Sequence, residues 1–221
     1  MQFPSLSEKC GVFGVYAPGE DVARLTFFGL HALQHRGQES AGIATTDGDA
    51  IHIHAEMGLV TQIFDETKLE DLSGHAAIGH TRYSTTGSSI ACNIQPLIVE
   101  DRHPDLSLVT GGNRKLALAH NGNIVNADIL RADLEAQGVV FQTTTDSEVI
   151  AQLIATAPGP TWEERFAEMM RRANGAYSLT VLTNDAVFGA RDPNGIRPLC
   201  IGQLNGSGYV IASETCALDQ I

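Results

Sequence analysis

The sequence predicts an α+β fold with antiparallel sheets. Two observations carry this: apolar, strand-length stretches come in pairs joined by tight turns, and these hairpins bracket blocks of helical periodicity. Residues 10–17, CGVFGVYA, are apolar and closed by Pro18-Gly19, which reads as a buried strand starting at Cys10. In residues 21–34, Val22, Leu25, Phe28, Ala32 and Leu33 recur at three- and four-residue steps behind Asp21, a residue suited to an N-cap. Residues 41–46 and 50–57 form a hairpin about Asp47-Gly48-Asp49, with Ile51, Ile53 and Ala55 at period two. A further strand covers 75–83.

The polar stretch 100–114, with Pro104 and Gly111-Gly112, reads as an exposed excursion before a strand over 115–120. Helices follow at 126–137, ended by Gly138, at 147–155 beneath Asp146, and at 161–173 behind the capping-box pair Thr161 and Glu164. Strands at 176–183 and 186–191 flank Asn184-Asp185 as a second hairpin, and strands at 198–202 and 208–212 follow Asp192-Pro193-Asn194-Gly195. Residues 215–218 read as a helix start, so the 221-residue chain is expected to be a domain of something longer. No internal repeat or low-complexity tract interrupts this pattern.

With 221 residues and 43% hydrophobic content, one domain with a substantial core is expected. A formal net charge of −12 opposes a phosphate-tracking surface, so the expected partners are small molecules or proteins, with no nucleic acid. The four cysteines show no C-x-x-C spacing, which points to a reducing, cytoplasmic setting without a disulfide framework. Residues 1–9 lack the features of a secretory signal and no stretch reaches membrane-spanning length, so no membrane association is expected. His52 and His54 alternate along a strand-like run and no H-E-x-x-H pattern occurs. The histidines therefore read as surface or structural, and no metal site is expected in this domain.

Four features carry chemistry. Cys10 opens a strand behind a short polar leader; it is either an inert core thiol or a nucleophile. Loss of residues 1–9 would give Cys10 a free α-amine, with a reference pKa of about 7.7 to 8.0, able to accept the thiol proton near neutrality. Asn121 and Gly122, within His120-Asn121-Gly122-Asn123, form either an ordinary turn or an oxyanion hole from a side-chain amide and a backbone N–H. Arg82 ends a strand before a small polar loop, either as a surface ion pair or as a bidentate clamp for an α-carboxylate. Asp146 is either a helix N-cap or an acceptor for an α-ammonium. Together they describe a site for a zwitterionic amino acid bearing a side-chain amide, glutamine or asparagine.

Cys10-Gly11-Val12-Phe13-Gly14, the run from Leu33 through His35-Arg36-Gly37-Gln38-Glu39-Ser40 to Gly42, residues 79–87, His120 to Asn123 and Thr145 to Glu148 together resemble the class II, N-terminal nucleophile glutamine amidotransferases over nearly the whole chain. Within that class, His35 to Ser40 and Arg191-Asp192-Pro193-Asn194-Gly195-Ile196-Arg197-Pro198-Leu199 resemble the phosphoribosylpyrophosphate branch of purine synthesis. The hexosamine branch differs, with Tyr-Arg-Gly-Tyr-Asp-Ser in place of the first phrase. The resemblance implies a four-layer αββα sandwich of two stacked antiparallel sheets (Ntn hydrolase fold). It implies Cys10 as nucleophile and base, Asn121 and Gly122 as oxyanion hole, and Arg82 and Asp146 as glutamine holders. Arg36, Gly37, Tyr83 and Thr85 are implied to lie near the substrate and close over it.

It further implies removal of residues 1–9 as a propeptide, with 10–221 as the glutaminase domain. A phosphoribosyltransferase domain using magnesium is expected beyond 221, with a 4Fe-4S cluster in the full-length enzyme, which is expected to be a homo-oligomer. The expected reaction is glutamine hydrolysis, with ammonia passed on to form 5-phosphoribosylamine. Two alternatives stand beside it: another class II amidotransferase, for glucosamine-phosphate or asparagine synthesis, and a non-catalytic glutamine sensor. The connection over 100–114 is longer than the family pattern, so no contact is carried over there.

Overall fold

In the computed structural model, the described residues are 10–83, 91–102, 114–206 and 208–221. The leader and most of the expected excursion, residues 103–113, lie outside them.

Among the described residues, ten strands form two sheets: β1 Gly11–Tyr16, β2 Ser40–Thr46, β3 Ile51–Met57, β4 Ala76–Arg82, β5 Leu97–Glu100, β6 Lys115–Ile124, β7 Gly175–Leu182, β8 Val187–Arg191, β9 Cys200–Gln203 and β10 Tyr209–Ala212. The six-stranded sheet has the order β3-β2-β4-β1-β10-β9 and the four-stranded sheet the order β5-β6-β7-β8. Every paired neighbour is antiparallel. The expected hairpins are all present. The strand expected over 115–120 runs on to Ile124, so the Asn121-Gly122 pair lies inside a strand rather than in a turn.

Among the described residues, six α-helices complete the layers: α1 Val22–Ala32, α2 Val60–Ile63, α3 Glu66–Glu70, α4 Ala127–Ala136, α5 Asp146–Thr156 and α6 Trp162–Arg172. Asp21 caps α1 through the Arg24 N–H, and Thr161 and Glu164 form the expected capping box of α6. One expectation needs correcting. The N-cap of α5 is Thr145, whose hydroxyl accepts from the Glu148 N–H, and Asp146 is the first helical residue. Freed from capping, the Asp146 carboxylate can point elsewhere.

Three apolar clusters define the four layers. Phe13, Val15, Ala41, Ile43 and Ala77 of the larger sheet pack beneath α1, α2 and α3. Leu116, Leu118, Leu179 and Val181 of the smaller sheet pack beneath α4, α5 and α6. Val12, Ala44, Ala76, Ile78, Ala117, Ala119 and Leu182 fill the space between the sheets. Four of these seven inter-sheet residues are alanines. Helix α5 is buried from Ser147 through Ala155, so its apolar character runs around the helix rather than along one stripe. Among the described residues, no helix is long and apolar enough to cross a membrane.

Candidate active site

Cys10 sits one residue ahead of β1 with φ 85°, a conformation rare for a residue bearing a Cβ. Its neighbours hold it there. The Cys10 N–H donates to the Arg36 carbonyl at 3.1 Å, and the Arg36 Nε–H donates back to the Cys10 carbonyl at 2.8 Å. The buried Arg36 guanidinium also pairs with Glu214 through Nη1. Arg36, expected near the substrate, thus contacts the backbone of Cys10. Gly37 follows for a steric reason: a Cβ there would lie 2.6 Å from the Arg82 backbone N, so only glycine lets this turn press against the end of β4.

Strand parity brings the other groups to the same gap. In β1 and β4 the even-numbered Val12, Ala76 and Ile78 face the inter-sheet core, so His80 and Arg82 of β4 belong to that side as well. In β6 the inter-sheet residues are Ala117 and Ala119, which puts Asn121 on the facing surface. Gly11 pairs with Thr81, so Cys10 lies beside Arg82 at the open end of the sheet. Arg82 is fixed by Nη1–H donation to the Asn93 carbonyl at 3.0 Å.

Asn121 is fully buried, and among the described residues neither its side-chain oxygen nor its nitrogen has a hydrogen-bond partner. An amide left this way forfeits on the order of 1–3 kcal/mol, which a substrate oxyanion could restore. Gly122 has φ 152°, and a Cβ there would lie 2.1 Å from the Ala176 carbonyl oxygen, so no other residue fits. Asp146 accepts the Ile124 N–H at 3.0 Å through Oδ2, and its Oδ1 lies 3.8 Å from His120 Nδ1.

A polar network backs this wall. His120 Nδ1 lies 3.1 Å from Ser147 Oγ, Gln95 donates to Ser147 Oγ at 3.0 Å, and Gln95 accepts the His120 N–H at 2.7 Å. The His80 ring nitrogen Nε2 meets the His120 carbonyl across the gap at 3.1 Å; since a carbonyl only accepts, Nε2 carries the proton. Burial pushes the His80 ring down to about 3, so it is neutral. Burial also lowers His120, against the pull of the Asp146 carboxylate. At Cys10 burial raises the thiol above its ordinary value. A Tyr83 backbone N–H and the charges of Arg82, Arg36 and Arg197 act the other way.

Cys10, Arg82, Tyr83, Gly122 and Asp146 line one cleft of about 500 Å³, with Asn93, His120 and Asn123 among its other walls. Thr85 lies outside the described residues. The sequence did not single out Asn93, Gln95, Ser147 or Arg197. Arg197 was signalled by its phrase: the buried Asp192 carboxylate accepts the N–H groups of Asn194, Ile196, Arg197 and Tyr177, folding the loop that brings Arg197 towards the thiol. A second groove, beside Leu204 and Leu218, holds none of these groups.

The family model described as "Glutamine amidotransferase domain" matches residues 81–220. The chain belongs to the glutamine amidotransferase domain family. This amidotransferase domain is 53% identical over 219 residues to the amidophosphoribosyltransferase of Synechococcus elongatus, covering 97% of the chain and 42% of the relative. It is 43% identical over 220 residues to that of Bacillus subtilis, covering 100% of the chain and 44% of the relative. The solved B. subtilis glutamine phosphoribosylpyrophosphate amidotransferase, complexed with ADP and GMP, superimposes with a TM-score of 0.84 at 43% identity, over 96% of the domain and 43% of that chain. A class II domain protein from Silicibacter pomeroyi, at 12% identity and a TM-score of 0.54, shares the fold. The domain thus spans less than half the length of the amidophosphoribosyltransferases it matches, and the αββα sandwich expected from sequence is the one observed.

Proposed function

We propose that this domain hydrolyses the side-chain amide of glutamine through Cys10, and that in a full-length protein the ammonia passes to phosphoribosylpyrophosphate to form 5-phosphoribosylamine. The observation that carries the reading is the convergence of Cys10, Arg82, Gly122 and Asp146 on one cleft. The amidophosphoribosyltransferase name of the relatives supports the second half.

The chemistry follows from the residues. Burial holds the Cys10 thiol protonated, so it needs a base. Removal of residues 1–9 supplies one in the α-amine of Cys10, whose nitrogen is already oriented by the Arg36 carbonyl. The thiolate attacks the amide carbon, and the oxyanion takes the Asn121 side-chain N–H and the Gly122 backbone N–H. The proton held by the amine then moves to the departing nitrogen, ammonia leaves, and water cleaves the thioester to release glutamate. Arg82 holds the substrate α-carboxylate and Asp146 its α-ammonium. Tyr83 lines the cleft and closes over the substrate. The magnesium and iron-sulfur expectations concern the part of the relatives that this chain does not span.

The test pairs a glutaminase assay with the intact mass of the same sample. Activity should track the species that begins at Cys10, and a fully active chain still carrying residues 1–9 would overturn the mechanism. Cys10→Ala should cut ammonia release by at least about 10³-fold with the fold retained, while Cys92→Ala, at an exposed position, should not.

A further inference from the structure

Behind the Arg36 turn, on the side of the sheet away from the cleft, three side chains with nitrogen, oxygen and sulfur donors meet. His35 Nε2 lies 3.0 Å from Glu214 Oε2, and Cys216 Sγ lies 3.5 Å from the same oxygen. All three donor atoms fall within 4.8 Å of one another. Sequence spacing could not show this set, because His35 and Glu214 are 179 positions apart.

We propose that His35, Glu214 and Cys216 form a binding site for a borderline-soft divalent cation of the zinc type. The dimensions fit. Zinc bonds of about 2.0–2.3 Å to nitrogen, oxygen and sulfur give tetrahedral edges of about 3.3 Å between N and O and about 3.5 Å between O and S. The observed 3.0 and 3.5 Å are those edges within a few tenths of an ångström.

The imidazole supplies the second argument. His35 Nδ1 lies 3.0 Å from the Ala32 carbonyl, which can only accept, so Nδ1 carries a proton. Nε2 then faces a carboxylate oxygen, another acceptor. A cation lying between the two atoms would satisfy both. A backbone carbonyl fixing the far nitrogen is also how proteins orient histidine ligands towards metals. Mixed N, O and S donors select zinc over magnesium or calcium, which prefer oxygen alone.

The site is partly open. His35 is exposed, and Glu214 and Cys216 border a cleft of about 410 Å³ along Arg191, Pro198 and Leu199, leaving room for water as fourth ligand. Glu214 also pairs with Arg36 through its other oxygen, and Arg36 donates to the Cys10 carbonyl. One carboxylate therefore links the cation site to the backbone of the nucleophile.

Cobalt(II) titration of the Cys10→Ser chain tests the site without interference from the nucleophile. One equivalent should bind with a near-ultraviolet thiolate-to-cobalt band, and zinc should displace it. In Cys10→Ser/Cys216→Ser the band should vanish, and in Cys10→Ser/His35→Ala the affinity should fall by about tenfold or more. Thermal melts matching the Cys10→Ser parent show that the variants are folded. His35 is exposed, so its removal reports on the site even where the serine change disturbs packing. Absence of the band in the Cys10→Ser chain overturns the proposal, as does undiminished binding in both double variants.

Discussion

The two halves of β6 have the same geometry and opposite chemistry. From Leu116 to Ala119 the strand is apolar on both faces: leucines pack beneath the helices and alanines fill the gap between sheets. From His120 to Asn123 the same alternation continues with polar groups. His120 takes the place of a leucine and bonds Ser147 on α5, while Asn121 takes the place of an alanine and keeps its amide unpartnered. A single ladder with β7 runs through both halves without interruption, pairing Ala117 with Leu182 and Ile124 with Gly175. The first half stabilises the sandwich. The second uses the rigidity so gained to hold a buried amide that, among the described residues, has no partner, the group proposed as an oxyanion donor.

Exchanging the roles of the two halves tests this division, and the largest effect is expected at Asn121. Asn121→Ala removes one oxyanion donor and should lower kcat for glutamine hydrolysis by about 10² to 10³-fold with KM little changed. Removal of an unpartnered buried amide should not destabilise the fold. Steady-state kinetics and a thermal melt on the same preparation decide this; a large loss of stability with kcat intact would make Asn121 a structural residue.

Leu118→Ala should do the reverse. Leu118 is fully buried in the core beneath the helices, and its truncation should cost about 2–5 kcal/mol by denaturant unfolding. The folded fraction should retain its kcat and KM. A kcat loss as large as that of Asn121→Ala would show that the two halves are not separable.

Arg82 extends the comparison to the facing sheet, with a smaller effect. Arg82→Lys keeps the charge but cannot both donate to the Asn93 carbonyl and grip a carboxylate with two parallel bonds. KM for glutamine should rise by about tenfold and kcat change less. An unchanged KM would remove Arg82 from substrate binding.

The same division explains what could be read in the sequence. The strands of both sheets and helices α1, α4, α5 and α6 were legible because apolar periodicity and caps are local signals. Helices α2 and α3, of 4 and 5 residues, are too short to show a period, and the 4-residue β5 was hidden just ahead of the polar stretch 100–114. Sheet order was not legible, since β1 pairs with β10 from the far end of the chain. In the candidate site, Cys10, Arg82, Asn121, Gly122 and Asp146 were singled out through motifs. Asn93, Gln95 and Glu214 were not, because each acts on a residue of another segment and leaves no mark in its own. The assignment of Asp146 as a cap failed for a simpler reason: Thr145 and Asp146 both suit the position, and the fold uses the threonine.

The smallest effect expected is on pH dependence, and it comes from the second polar residue in the gap, His80. Burial pushes its ring from the ordinary 6.5 down to about 3, so the folded protein keeps it neutral while the unfolded chain protonates it below 6.5. The unfolded state then binds the extra proton. This group therefore lowers stability progressively as the pH drops from 6.5 towards 3 and has no effect above that window. The slope from one such histidine is at most about 1.4 kcal/mol per pH unit. His80→Gln keeps an N–H to donate to the His120 carbonyl but cannot take up a proton. Its unfolding free energy should fall less steeply than that of the parent between about pH 6 and pH 5, where ordinary carboxylates remain ionised and contribute little. His120, also depressed by burial, should preserve the rest of the slope in both proteins. Equal slopes in parent and variant would mean that His80 is protonated in the folded state, and the gap between the sheets would then hold a positive charge directly behind the oxyanion donors.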